Sequence, residues 1–150
     1  MIALASDHGG FALKGEIALF LKNNDIDFYD YGTYNEDSVD YPTVILDACS
    51  DIVSEKMDKG IFICGTGVGI SIAANKHNGI RAACVTEAFS ASLAREHNNC
   101  NVLCLGGRIV SSEYAFSIVK AFLTTEFSEG ERHIKRINLI EEIEKKQKLI

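Results

Sequence analysis

The stretch GIFICGTGVGISIAAN at residues 60–75 joins an apolar run to a glycine-rich turn and then to a helical pattern. The unbroken apolar run at residues 60–64 is typical of a strand that is covered on both faces of a parallel sheet. Residues 70–75 predict the start of a helix. In α/β folds, ligands bind at the carboxyl ends of the strands, so the glycine-rich turn is the first place to look for a site.

The same alternation of strand and helix patterns continues along the chain. Four further apolar runs predict strands at residues 2–5, 26–29, 81–85 and 101–105. Apolar residues recur at helical spacing between them, as at Leu13, Ile17 and Leu21. The pattern predicts one α/β domain over residues 1–150, with five parallel strands wound in both directions. An additional helix at about residues 132–148 is expected to pack on a partner subunit.

Composition excludes several classes of partner. The 150 residues include 15 Lys+Arg and 21 Asp+Glu, for a net charge of −6, which argues against nucleic-acid binding. No apolar run approaches the ~20 residues that span a bilayer, and the N-terminus lacks the basic region of a signal peptide. The five cysteines contain no CxxC pair, so neither a disulfide framework nor a zinc ribbon is expected. These features predict a cytoplasmic location.

Two polar turns are candidates for a binding site: residues 6–10 after the first strand and residues 64–69 after the third. Glycines allow a ligand to approach the backbone closely, and the N–H groups at a helix start favour an anion. Ile70 replaces the last glycine of the dinucleotide fingerprint, and no phosphate loop of the GxxxxGK[ST] type is present. A nucleotide site is therefore weakly supported, and a purely structural turn remains an alternative.

Cys64 is the most specific feature of the second turn. It lies between a strand and a helix start, where backbone N–H groups favour a thiolate that can act as a base or a nucleophile. The same N–H groups could hold a developing oxyanion. We expect the other four cysteines to be small packing residues; they are Cys49, Cys84, Cys100 and Cys104.

Histidine and arginine residues supply candidates for proton transfer and anion binding. His8 and His97 are predicted in loops beside Asp or Asn, where an imidazole can exchange protons near neutral pH. His77 and His133 are predicted on the surface, and none of the four histidines shows the paired spacing of a metal site. Arg132 and Arg136 are four residues apart on one helix face and could hold a phosphate. Arg108, after the fifth strand, is a further candidate cation.

Seven segments together closely resemble ribose-5-phosphate isomerases of type B, a family related to the galactose-6-phosphate isomerase subunits. They are SDHGGF at 6–11, DYP at 40–42, CGTGVGISIAANK at 64–76, GIRA at 79–82, REHN at 95–98, GGR at 106–108 and RHxxR at 132–136. The resemblance implies a Rossmann-like three-layer α/β/α sandwich with active sites built from both subunits of a homodimer, or of a tetramer. It also implies interconversion of D-ribose 5-phosphate and D-ribulose 5-phosphate in the pentose phosphate pathway, without a cofactor or a metal.

The resemblance further assigns roles to individual residues. Cys64 resembles the base that moves a proton between C1 and C2, and His97 the acid that opens the furanose ring. The anion hole for the enediolate would comprise Gly65, Thr66, Gly67, Val68 and Gly69, with Thr66 counted among the catalytic residues. Other substrate contacts would come from Asp7, His8, Tyr41 and Asn98, and phosphate contacts from Arg108, Arg132 and Arg136. Some members have a glutamate base at the position of Ile70, so this chain resembles the branch that uses cysteine.

Three alternatives remain open from the sequence. A six-carbon substrate, allose 6-phosphate or galactose 6-phosphate, would use the same chemistry in a longer pocket. A non-catalytic module that binds sugar phosphates or nucleotides would need the anion site but not Cys64 and His97. A redox role for Cys64 is disfavoured because no resolving CxxC partner is present.

Overall fold

A computed structural model describes residues 1–147 and contains the five predicted strands. The strands are β1 (Ile2–Ser6), β2 (Phe28–Asp30), β3 (Lys59–Cys64), β4 (Ala82–Cys84) and β5 (Val102–Gly106). The two outer strands, β2 and β4, are shorter than the apolar runs predicted. All strands are parallel, in the order β2-β1-β3-β5-β4. The winding direction therefore reverses between β1 and β3, where the two candidate turns begin.

Within residues 1–147, seven helices connect or follow the strands. They are α1 (Phe11–Asn23), α2 (Tyr41–Val44), α3 (Leu46–Val53), α4 (Val68–Ala74), α5 (Ala88–Asn98), α6 (Ser112–Thr124) and α7 (Glu131–Gln147). The last helix confirms the predicted C-terminal helix, although its predicted end at Lys148 lies outside the described residues. No helix within residues 1–147 is long and apolar enough to cross a membrane.

Buried side chains form one apolar layer on each face of the sheet. Leu4, Ile63 and Leu103 face α1, α5 and α6, whereas Phe62 and Cys104 face α3 and α4. Alternate residues along each strand point to opposite faces, which explains why continuous apolar runs predicted these strands correctly. The predicted three-layer α/β/α sandwich is confirmed.

Helix α7 lies outside the two helical layers. Its buried residues His133 and Ile137 face the rest of the fold, and the helix packs against α5. Farther along, a carboxylate oxygen of Glu144 accepts a hydrogen bond from the backbone N–H of Gly79, in the loop before β4, at 3.1 Å. These contacts hold α7 near the amino ends of β4 and β5.

Candidate active site

The turn after β3 places a thiol against a backbone donor. Cys64 is only 4% exposed, and its Sγ accepts a hydrogen bond from the backbone N–H of Gly67 at 3.1 Å. Gly67 has a φ of +80°, and a Cβ at this position would lie 2.8 Å from the carbonyl carbon of Leu105. Only glycine fits this conformation and this close approach, so the turn that holds the Cys64 thiol depends on Gly67.

Three turns pack backbone to backbone at this edge of the sheet. The N–H groups of Gly107 and Arg108 donate to the carbonyl oxygens of Cys64 and Gly65 at 2.8 and 3.0 Å. A Cβ on Gly107 would lie 2.6 Å from the carbonyl oxygen of Gly9. We call residues 7–10, 64–69 and 106–108 the carboxyl-edge half of the site. It has the rigid backbone that a preorganised anion hole requires.

Asp7 and His8 line the carboxyl-edge half beside this thiol turn. Asp7 is buried, and its Oδ1 accepts a hydrogen bond from the backbone N–H of Gly10 at 3.1 Å. The backbone N–H of Val39 donates to Nδ1 of His8 at 3.3 Å. An acceptor at Nδ1 leaves the proton of a neutral imidazole on Nε2, so His8 can donate to a substrate oxygen.

Tyr41 forms a wall beside the glycine-rich turn. A Cβ on Gly69 would lie 2.7 Å from the Tyr41 hydroxyl oxygen, so glycine permits this contact. Thr66 and Val68 are exposed, and the N–H of Val68 donates to the Thr66 hydroxyl oxygen at 3.3 Å. Because that hydroxyl oxygen is the acceptor, its own hydrogen can be donated to a ligand.

The other four thiols lie outside the turn that holds Cys64. Burial raises the pKa of Cys49 to about 12 and that of Cys100 to about 11, and it also raises the pKa of Cys104. These three are packing residues, as predicted. The prediction for Cys84 is wrong, because its side chain is exposed at the end of β4, with Sγ 3.9 Å from the carbonyl oxygen of Thr66. Its pKa is also raised, chiefly by partial burial.

His97 and Asn98 lie in the last turn of α5, not in a loop as predicted. The helix continues to Asn98 because the left-handed residue Asn99, with a φ of +43°, ends it there. Since α5 runs antiparallel to the strands, its end lies beside the start of β5. The N–H of Cys100 donates to the carbonyl oxygen of Ala94 at 3.0 Å and fixes this turn.

His133 is a site-associated residue that the sequence analysis missed. It was predicted on the surface, but it is 6% exposed and its ring stacks on His97, with centroids 4.4 Å apart and planes 6° apart. Burial, followed by the charges of His97 and Arg132, lowers the pKa of His133. The signal was available, since the buried Ile137 lies four residues later on the same helix face.

Arg132 and Arg136 are exposed on the first two turns of α7, as their spacing predicted. No ion pair among residues 1–147 involves either of them or Arg108. We call His97, Asn98, Arg132, His133 and Arg136 the amino-edge half of the site. Its unpaired guanidinium groups are suited to a phosphate.

The two halves lie within one chain at opposite ends of the strands, one at the carboxyl ends and the other at the amino ends. Cys64 pairs with Gly106 at the end of β5, whereas Val102, four residues earlier, pairs with Gly60. At a rise of ~3.3 Å per residue, these two levels are roughly 13 Å apart. His97 lies beyond the Val102 level, before β5 begins. One chain therefore does not bring Cys64 and His97 to a common ligand.

Neither half resembles a metal centre. Among residues 1–147, no three His, Cys, Asp or Glu side chains are grouped closely enough to hold a metal ion. Backbone N–H groups and arginines dominate the two halves instead, and both are donors that favour anionic ligands.

Comparison with known proteins identifies the family. The profile of the family described as ribose/galactose isomerase matches residues 2–140. Ribose-5-phosphate isomerase B of Escherichia coli is 44% identical over 146 residues, which cover 97% of each chain. Ribose-5-P isomerase B of Listeria innocua is 35% identical over 147 residues, or 98% of this chain and 99% of that protein.

Solved structures agree with the sequence relatives. Ribose-5-phosphate isomerase B of Clostridium thermocellum has a TM-score of 0.95 and 50% identity, covering 97% of this chain and 98% of that chain. The Mycoplasma genitalium enzyme, solved with bound ribulose-5-phosphate, has a TM-score of 0.90 and 42% identity, covering 96% and 95% of the two chains. The matches span nearly the whole of each protein in sequence and in structure. This chain therefore belongs to the ribose/galactose isomerase family.

Proposed function

We propose that the protein is an aldose–ketose isomerase that interconverts D-ribose 5-phosphate and D-ribulose 5-phosphate through a cis-enediolate, without a cofactor. The observation that carries the proposal is the hydrogen bond from the Gly67 N–H to Cys64 Sγ in a turn rich in backbone donors. A thiolate in this position can act as a general base, and the backbone N–H groups around it can stabilise the oxyanion that forms when the substrate is deprotonated. The family membership and the named activity of its relatives support the same reaction.

Ring opening is the first step for an aldofuranose. His97 protonates the ring oxygen as the bond between that oxygen and C1 breaks, and the C1 hydroxyl gives its proton to solvent, which yields the open-chain aldehyde. An imidazole is suited to this step because it can give up a proton near neutral pH. His8 and Asp7 would then orient the sugar oxygens above the Cys64 turn.

Proton transfer follows on the open chain. The Cys64 thiolate removes the C2 proton, the electron pair moves to form the C1–C2 double bond, and the negative charge passes to O1. N–H groups of the turn at residues 65–69 stabilise this enediolate, and the Thr66 hydroxyl can donate to one of its oxygens. The Cys64 thiol then returns the proton to C1, the O2 hydroxyl proton passes to O1, and O2 becomes the ketone oxygen, which restores the thiolate and completes the isomerisation.

We infer that each active site is shared between two copies of the chain. The separation of the two halves within one chain supports this arrangement, because Cys64 and His97 must act on the same molecule. A two-fold dimer can bring the carboxyl-edge half of one copy to the amino-edge half of the other, twice. Exposed apolar residues on α4, Val68 at 53% and Ile72 at 57%, lie next to the site and offer surface for this contact.

Exchange of substrate hydrogen with deuterated water tests the proposed reaction. Wild-type protein given D-ribulose 5-phosphate should incorporate deuterium at C1 and release aldose. Cys64→Ala should reduce this exchange about 10²–10⁴-fold, the range expected for loss of a positioned base. Cys84→Ala is the matched control, because it removes a neighbouring thiol at the same sheet edge, and it should exchange at nearly the wild-type rate. Binding without exchange in the wild type would favour a sugar-phosphate-binding module instead.

Substrate size is tested by comparing kcat/KM for ribose 5-phosphate, allose 6-phosphate and galactose 6-phosphate. We expect the pentose phosphate to have the highest value, in line with the named activity of the Escherichia coli and Clostridium thermocellum relatives. A higher value for either hexose phosphate would reassign the substrate while leaving the chemistry of Cys64 unchanged.

We also infer a reducing, cytoplasmic location. All five cysteines are free thiols, and Cys64 must stay reduced to act as a base. Loss of activity on mild oxidation, restored by a thiol reductant, is the expected behaviour of such an enzyme.

A further inference from the structure

The buried imidazole of His133 has no role in the chemistry described so far, yet it contacts two residues that do. Its ring lies parallel to that of His97, and its Nε2 accepts a hydrogen bond from Nε of Arg132 at 3.2 Å. One residue therefore touches both the proposed ring-opening acid and a proposed phosphate ligand. This position between α5 and α7 calls for an explanation beyond packing.

The stacked ring restricts His97 to one plane. With centroids 4.4 Å apart and an angle of 6° between planes, rotation of the His97 ring would break the contact. The opposite side of His97 is more open, since its side chain is 33% exposed. The Glu96 carboxylate lies 3.7 Å from His97 Nε2, and the stacked His133 ring is the neighbour that fixes the plane in which the His97 nitrogens point.

The hydrogen bond from Arg132 fixes the chemical state of His133. A guanidinium can only donate, so the Nε2 that accepts from it carries no hydrogen. His133 is then neutral, with its proton on Nδ1. A neutral ring can stack on His97 when His97 is protonated, whereas a second imidazolium would repel it. The same acceptor holds one end of the Arg132 guanidinium, which leaves its remaining donors for a phosphate.

We infer that His133 is a positioning residue that orients His97 for ring opening through the stack and Arg132 for phosphate binding through Nε2. This inference rests on the proposed function. The two contacts predict separable effects: the stack affects only the step that His97 performs, and the acceptor affects phosphate binding. A residue that merely fills space would alter both together.

Two substitutions separate these contacts. His133→Gln keeps an acceptor within reach of Arg132 but removes the ring, and His133→Phe keeps a flat ring but removes the acceptor. The two substrates then report different steps. Ribulose 5-phosphate has no free hydroxyl that can close a five-membered ring on C2, so hydrogen exchange at its C1 requires no ring opening.

For His133→Gln, we expect kcat on ribose 5-phosphate to fall about three- to tenfold, while C1 exchange of ribulose 5-phosphate changes less than about twofold. For His133→Phe, we expect KM for both substrates to rise about three- to tenfold, with kcat changed less than about twofold. Equal losses in the two variants, or wild-type behaviour in both, would overturn the inference.

A nitrogen NMR spectrum of the wild-type protein tests the inference without any variant, so a failure of either variant to fold does not block it. His133 should show a protonated Nδ1 and an unprotonated Nε2 near pH 7.5. Protonation at Nε2 would overturn the assigned contact with Arg132. If the wild type lacks C1 exchange, the proposed function fails. If it exchanges normally while the variants do not separate the two effects, only the role of His133 fails.

Discussion

The two halves of the site are built by different means. The carboxyl-edge half is held by backbone hydrogen bonds between three turns, such as Gly107 N–H to the Cys64 carbonyl at 2.8 Å. The amino-edge half is held by side chains of two helices, such as the stack of His97 on His133. Hydrogen-bonded backbone, as in the carboxyl-edge half, holds its atoms at more precise positions than side chains can, because far fewer bond rotations are available to it.

This difference in construction suits the two tasks of the site, which are proton transfer at the carboxyl-edge half and phosphate recognition at the amino-edge half. Proton transfer between adjacent carbons needs a base and oxyanion donors at nearly fixed positions, and small displacements reduce the rate strongly. Phosphate recognition tolerates more movement, because charged arginine side chains can follow the anion. Changes to the carboxyl-edge half should therefore reduce kcat most, and changes to the amino-edge half should mainly affect KM or one substrate form.

Among the substitutions that leave Cys64 in place, the largest effect is expected from Gly67→Ala. Its φ of +80° and the 2.8 Å approach to the Leu105 backbone leave no room for a methyl group. The turn must move and take its N–H away from Cys64, so kcat should fall about 10²–10³-fold, the range for lost oxyanion donors. The strain should also lower the free energy of unfolding by about 1–3 kcal/mol.

Gly15→Ala is the control for this substitution. Gly15 lies within α1, and a Cβ there would meet no heavy atom within 4 Å apart from its chain neighbours and the backbone of its own helix. Alanine should stabilise the helix by about 0.5–1 kcal/mol and leave kcat unchanged. A Gly67→Ala protein with kcat close to wild type would contradict the account of a rigid carboxyl-edge half. Urea unfolding and steady-state kinetics measure both quantities.

A smaller effect, mainly on KM, is expected from Arg132→Ala. Loss of a charge-assisted hydrogen bond should raise KM for either sugar phosphate about ten- to hundredfold, with a smaller fall in kcat. Lys135→Ala removes an exposed cation from the same helix outside the amino-edge half and should leave KM unchanged. Equal effects in the two variants would mean that Arg132 contributes only to the general electrostatic field of the protein.

His97→Asn should reduce the reaction rate of ribose 5-phosphate much more than that of ribulose 5-phosphate. Loss of the imidazole should slow turnover of ribose 5-phosphate about tenfold or more, because ring opening loses its acid. C1 exchange of ribulose 5-phosphate should change far less, since that substrate is already open. If both rates fall by the same factor, His97 has a different task.

The smallest effect concerns acid stability. Burial lowers the pKa of His133 below its ordinary value of 6.5, so between these two pKa values the unfolded chain binds a proton that the folded chain does not. The free energy of unfolding should therefore fall as pH drops below about 6.5. His133→Phe removes this contribution, so urea midpoints measured at about pH 7.5 and pH 5.5 should differ less than in the wild type. An equal or larger difference would contradict the assignment.

Local patterns were sufficient to predict the fold and the thiol turn. Continuous apolar runs mark buried parallel strands, and the glycines around Cys64 mark a turn that needs close backbone contact. The end of α5 was harder, because the helix continues through His97 and Asn98 until Asn99 ends it in a left-handed conformation, and the sequence does not fix which Asn adopts that conformation. Burial of His133 and exposure of Cys84 depend on contacts between distant segments, which periodicity does not report.

The central claim is that two chains share each active site, and mixing two impaired proteins, assayed at a substrate concentration well below the wild-type KM, tests it directly. One carries Cys64→Ala, and the other carries Arg132→Ala with Arg136→Ala. Random exchange of subunits makes half of the dimers mixed, and one of the two sites in each mixed dimer would have both halves intact. Isomerase activity should therefore rise to about one quarter of the wild-type value. Activity no greater than the sum of the two separate proteins would contradict the account.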